Sequence, residues 1–259
     1  MTQPLHIAVI CQGGTHSTAI GLFLEQINAD VVFDVSAPGE KVMRNAICDA
    51  DVIFSLTSPV QTFTIAEQAA AALTPGALYV DLSVGTPTFQ KSLSALFPEG
   101  SYVDGALLSV TPGHDESTVL HVSGSGAQRF FELMSSSLPH LEYVSDTPGD
   151  ATARKLLHDM LIKNITSVVV DTLWAAESLG MQEWAFEEIK REFDAFSGET
   201  AQHLITDAAQ NFKRSQIEMA DVVEMLSESG YESTMLAPVQ FNYGRIMHGK
   251  KIPHSKSQK

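Results

Sequence analysis

The chain has 259 residues, 44% of them hydrophobic, and a formal net charge of −15 at pH 7, which repels phosphate backbones and argues against nucleic-acid binding. No uncharged apolar run reaches about eighteen residues, so no membrane span is expected. Cys11 and Cys48 are too few for a disulfide framework and Met1–His6 lacks the pattern of a secretory signal, so a cytoplasmic setting is expected.

The apolar run His6–Ile10 reads as a buried first strand and Ser17–Ile27 as the helix after it. The turn between them stands where a dinucleotide-binding protein carries G-x-G-x-x-G, and here the three positions are Cys11, Gly13 and His16. Gly13 lets the backbone approach a pyrophosphate and Gly14 adds freedom, whereas the His16 side chain pushes the helix start outward or points at the ligand. Thr15, Ser17 and Thr18 compensate by offering hydroxyls and N–H groups to an anion at the positive helix end. Val31–Val35 reads as a second strand. Its Asp34 is either a strand-end turn residue or the acid that bonds a ribose hydroxyl about twenty residues past the glycine loop. Lys41 and Arg44 follow closely enough to leave both NAD and NADP open.

Strands are next expected at Asp51–Leu56, Ala77–Ser83, Ser101–Leu108 and Ser117–Gly124, with helices at Val60–Ala72 and Pro87–Leu96 between them. Strands alternating with helices imply right-handed crossovers and a mostly parallel sheet. From Gly149 the rhythm changes. Helical periodicity runs for about thirty residues to Gly180, and further helices are expected at Gln182–Phe196, Glu199–Gln210, Ser215–Ser229 and Glu232–His248. The fold class is therefore an α/β, Rossmann-like N-terminal domain (1–147) followed by an all-α domain (148–250) and a basic tail (251–259).

Four stretches carry a resemblance: "DVIFSLTSP", "LTPGALYVDLSVGTP", "VDGALLSVTPG" and "GDATARKLLHDMLIKN". Together they resemble the β-hydroxyacid dehydrogenase superfamily, which includes 3-hydroxyisobutyrate and 6-phosphogluconate dehydrogenases. Lys213–Pro238 is similar to the C-terminal helices of a less characterised branch of it. The resemblance implies that Leu56, Thr57 and Ser58 lie along the cofactor and that the loop holding Ser83 closes on the nicotinamide side. It implies that Asp104, with Leu108 and Ser109, contacts the substrate. It also places Gly149, Ala151 and Lys155 on the motif that opens the long interdomain helix, with His158 and Asp159 where the family usually has Asn.

An oxidoreductase acting on a hydroxyl needs a base for the O–H proton, and the reverse reaction needs an acid; Lys155 is the candidate. On a helix His158 and Asp159 share its face and Lys163 lies two turns on, where all three can orient substrate. A Lys with an Asp four residues later is also a common helix-surface pair. The expected activity is NAD(P)-dependent interconversion of a small β-hydroxy acid and its carbonyl form, by a homodimer formed through the helical domain. Imine reductases share the architecture but usually lack a lysine at this point. The altered first turn and missing Asn residues would equally suit a non-catalytic homologue that senses a ligand or binds a partner. His16, His114 and His121 have no metal-ligand spacing, and no G-x-S-x-G elbow is present.

Overall fold

The computed structural model describes residues 5–11, 31–34, 45, 47–83, 85–108 and 118–253. The chain divides into two compact units, Met1–Asp159 and Met160–Lys259.

The N-terminal unit contains β1 (Ile7–Cys11), β2 (Val31–Asp34), β3 (Val52–Leu56), α1 (Pro59–Ala72), β4 (Leu78–Asp81), α2 (Pro87–Ser94), β5 (Tyr102–Leu108), β6 (Val119–Ser123), α3 (Ala127–Met134) and β7 (Leu141–Ser145). These strands form one sheet in the order β2-β1-β3-β4-β5-β6-β7. The first five are parallel; β6 runs antiparallel to β5, and β7 runs parallel to β6. All six expected strands are present and the sheet is mostly parallel. The seventh strand and α3 are additions to the sequence reading, and the expected helix Ser17–Ile27 lies outside the described residues.

β1 is an unbroken apolar run, and β3 and β4 are apolar apart from Ser55 and Asp81, because both faces of the sheet are covered. One face packs Val9, Phe54, Val80 and Val103 against Phe130 and Met134 of α3. Phe54 and Phe130 meet edge to face at 5.8 Å. The other face packs Ile10, Ile53, Tyr79 and Tyr102 against Ala66 and Ala69 of α1 and Leu93 of α2. Each such large side chain, fully buried, contributes about 1.5–3 kcal/mol.

The second unit continues α4 (Asp150–Ser178), inside which the division falls, and adds α5 (Gln182–Ala195), α6 (Gly198–Gln210), α7 (Phe212–Glu228) and α8 (Leu236–Met247). α4 stops at Gly180, whose φ of +69° suits glycine; Met181 N–H bonds to Ala176 C=O and Gly180 N–H to Glu177 C=O, a Schellman ending. α6 opens with a capping box between Ser197 and Thr200. α8 starts four residues later than expected, because Pro238 is tolerated only in a first turn.

Candidate active site

The strand order reverses direction at β1, with β2 on one side and β3 on the other, so the carboxyl ends of β1 and β3 flank the switch point where ligands of open α/β sheets bind. Cys11 is in register there with both Leu56 and Asp34. The loop after β3 leads to α1 through Ser58, the N-cap residue, which makes no side-chain capping bond. Its hydroxyl donates instead to Gln61 Oε1 at 3.3 Å, and the Thr57 and Thr62 hydroxyls pair at 3.1 Å. α1 carries no acidic residue in its first turn, so its positive end is left open to an anion.

At the end of β4, Asp81 is fully buried and Oδ2 accepts from Ser83 Oγ at 2.7 Å and Gln90 Nε2 at 3.0 Å. Tyr102 OH donates to Gln90 Oε1. Burial pushes the Asp81 carboxyl up to about 6, opposed by the Ser83 and Gln90 hydrogen bonds and aided by the charge of Asp104. Among the described residues, Asp81 Oδ1 is buried with no hydrogen-bond partner.

Asp104, on β5, is 0% exposed and its carboxylate is taken up by internal donors. Oδ2 accepts from Ser123 Oγ at 2.8 Å, Gly149 N–H at 2.9 Å and Thr152 N–H at 3.2 Å, and Oδ1 accepts from Thr152 Oγ1 at 2.6 Å.

Lys155 lies one turn into α4 beyond Thr152. Its amine donates to the carbonyl of Leu107 at 3.2 Å and stands 3.6 Å from Asp159 Oδ2, with both side chains about three-quarters covered. The structure therefore brings Lys155 and Asp159 together beside the end of β5, where Leu108 is half-buried, and His158 is half-buried on the same stretch of helix. Behind them His121 Nε2 stands 3.3 Å from Glu142 Oε2, and burial holds this imidazole below its ordinary range, with Glu142 opposing and Arg154 and His158 adding to the shift. Lys163 belongs to the second unit and is exposed there. Gly13, Gly14, Thr15, His16 and Ser109 lie outside the described residues; Asp34 closes β2, and only its backbone is described. Among the described residues no group of three His, Cys, Asp or Glu could hold a metal.

The sequence reading missed Thr152, Ser123, Asp81 and Gln90. The available signal was the occurrence of lone acids in otherwise apolar strands with no cation nearby, since such acids require buried donors.

No family model and no curated protein matches the sequence. Solved structures do share its fold. An imine reductase from Myxococcus stipitatus in complex with NADP+ gives a TM-score of 0.72 at 16% identity, over 94% of this chain and 95% of its own. A reductive aminase from Aspergillus terreus in complex with NADPH and ethyl levulinate gives 0.70 at 17% identity, over 97% of each chain. A conserved protein of unknown function, described as structurally similar to 3-hydroxyacid dehydrogenases, gives 0.54 at 20% identity, over 93% and 97%. These neighbours share the fold of this chain, a Rossmann-like α/β unit followed by helices.

Proposed function

We propose that this chain is an NAD(P)-dependent oxidoreductase that interconverts a small β-hydroxy acid and its carbonyl form, with Lys155 as general acid/base. The observation that carries the reading is the Lys155 amine, fixed 3.2 Å from Leu107 C=O where β5 runs past the end of β4. The nicotinamide supplies hydride transfer when bound. Leu56, Thr57, Ser58 and Ser83 would hold it, together with Gly13, Gly14, Thr15, His16 and Asp34. The described part of this set fits: a switch point, an open positive helix end and hydroxyls at the loop. The NADP+ and NADPH in the neighbouring structures support the same reading.

In oxidation the neutral Lys155 amine takes the hydroxyl proton; in reduction the ammonium gives it back. Asp159 and the Leu107 carbonyl hold Nζ in place between turns, and His158 completes the polar face. A second reading is favoured by the neighbours with TM-scores of 0.70 to 0.72, which are a reductive aminase and an imine reductase. A lysine ammonium can also donate its proton to the nitrogen as C=N is reduced, so that reaction would use the same residue. The helical unit would pair with a second copy, a reading supported by Trp184 at 61% and Phe241 at 69% exposed.

Titration with NADH and NADPH, followed by nicotinamide fluorescence, tests the cofactor. Hydroxy acids and imines are then screened. Lys155→Ala is expected to lose at least about 100-fold in turnover while keeping cofactor affinity. Full activity without that lysine overturns the assignment. Absence of binding by either cofactor returns the chain to the partner-binding reading.

A further inference from the structure

Four polar residues lie in one row across four strands. Ser55 of β3 is in register with Asp81 of β4, Asp81 with Asp104 of β5, and Asp104 with Ser123 of β6. All four are 0% exposed. Two carboxylates thus stand side by side in the interior, and the groups that bond them are hydroxyls, an amide and backbone N–H groups rather than Lys or Arg.

The row meets α4 at an unusual helix start. The residue before Asp150 is Gly149, which has no side chain with which to cap the helix. Its φ is +98°, and a Cβ there would lie 2.7 Å from the Pro87 carbonyl oxygen, so only glycine fits. The N–H groups that the first turn leaves open must then find acceptors elsewhere. Gly149 N–H and Thr152 N–H go to Asp104, and Ala151 N–H goes to Ser123 Oγ at 3.0 Å. The helix is capped by the sheet. A negative carboxylate at the positive helix end adds to the hold. The same glycine presses against Pro87, the first residue of α2, just beyond the loop that Asp81 holds through Ser83.

We infer that Asp104, Ser123 and Thr152 are positioning residues for Lys155: by capping α4 from the sheet they fix the base of that side chain, and so its amine, beside the end of β5. The consequence for turnover rests on the proposed role of Lys155, whereas the consequence for its amine does not. Lys155 is three residues after Thr152, on the same helix face. A long lysine side chain finds one position only if its backbone is held, and a displacement of about 1 Å at a reacting group costs about 100-fold in rate.

The test compares Thr152→Val, which removes the hydroxyl bond to Asp104, with Thr152→Ser, which keeps it. Ser123→Ala removes the acceptor of Ala151 N–H together with the Ser123 hydroxyl bond to Asp104, and serves where Thr152→Val fails to fold. The first readout is the rate at which an amine-reactive reagent labels Lys155, resolved by mass spectrometry and referred to Lys190, whose side chain is 56% exposed. Labelling of Lys155 is expected to rise at least about threefold in Thr152→Val and Ser123→Ala and to return to the starting rate in Thr152→Ser. The second readout, given a substrate, is a fall in kcat of at least about tenfold with cofactor Kd nearly unchanged. Unchanged Lys155 labelling in both folded variants overturns the inference. Altered labelling with no turnover in any form upholds it and removes the enzyme reading instead.

Discussion

In the N-terminal unit Phe54, Tyr79, Tyr102 and Phe130 are all 0% exposed, whereas in the helical unit Trp184, Phe193, Phe196 and Phe241 stand between 51% and 69% exposed. Only Ala176, Ala185 and Leu226 are buried among the helical unit's described hydrophobic residues. The difference follows from the elements. A sheet crossed by helices on both sides covers its apolar faces within one chain, as both core clusters here do. A few helices in a row can each cover only a stripe of their neighbours, and the large side chains left outside need another surface. The first unit is self-sufficient in apolar burial; the second leaves large apolar side chains exposed, and the proposed pairing with a second copy would cover them.

The sharpest way to break this contrast is Phe130→Ala. It leaves a cavity beside Phe54 and is expected to destabilise the chain by about 3–5 kcal/mol at any protein concentration, read from urea unfolding. Next comes Asp81, whose folded value near 6 lies above the ordinary 3.8, so folding favours its protonated form. The stability tied to it is intact below about pH 3.8 and is lost as pH rises through about 6, a difference of about 3 kcal/mol. Asp81→Asn should flatten that part of the pH profile and stabilise the protein above it, since a neutral amide leaves no ionised group buried there. An unchanged profile would contradict the ionised, buried carboxylate. In the helical unit, Phe241→Ser is expected to change the unfolding of the dilute chain by less than about 0.5 kcal/mol yet weaken self-association, measured by sedimentation across a concentration series. Equal sedimentation of both forms would remove the pairing reading. The smallest effect belongs to Arg191→Ala on α5, which breaks an exposed pair with Glu188 and should cost at most about 1 kcal/mol, screened by salt.

Much of the α/β unit is legible because its buried strands are continuous apolar runs closed by Pro-Gly or Ser-Gly signals, as at Pro75-Gly76 before β4. β7 escapes that logic: four half-buried residues and one exposed at the sheet margin, ending on the polar stretch Ser145–Asp150, look like loop. α3 is only eight residues long and follows Gly124 and Gly126, too short for periodicity to speak. At the site, the motif located Lys155, and spacing alone suggested its pairing with Asp159. The role of Asp104 was not legible, because two of its donors come from residues 45 and 48 places further along the chain. A local pattern cannot contain such partners.

Those same separations govern how the unit comes into being. Until Thr152 has left the ribosome, β5 offers the forming sheet a carboxylate that lacks most of its donors, and burying it in that state is strongly unfavourable. The settling of β5 between its neighbours is therefore expected to await the first turn of α4, a long-range step of the kind that slows folding. A fragment ending at residue 147 would contain every strand and still lack the group that lets the fifth one settle.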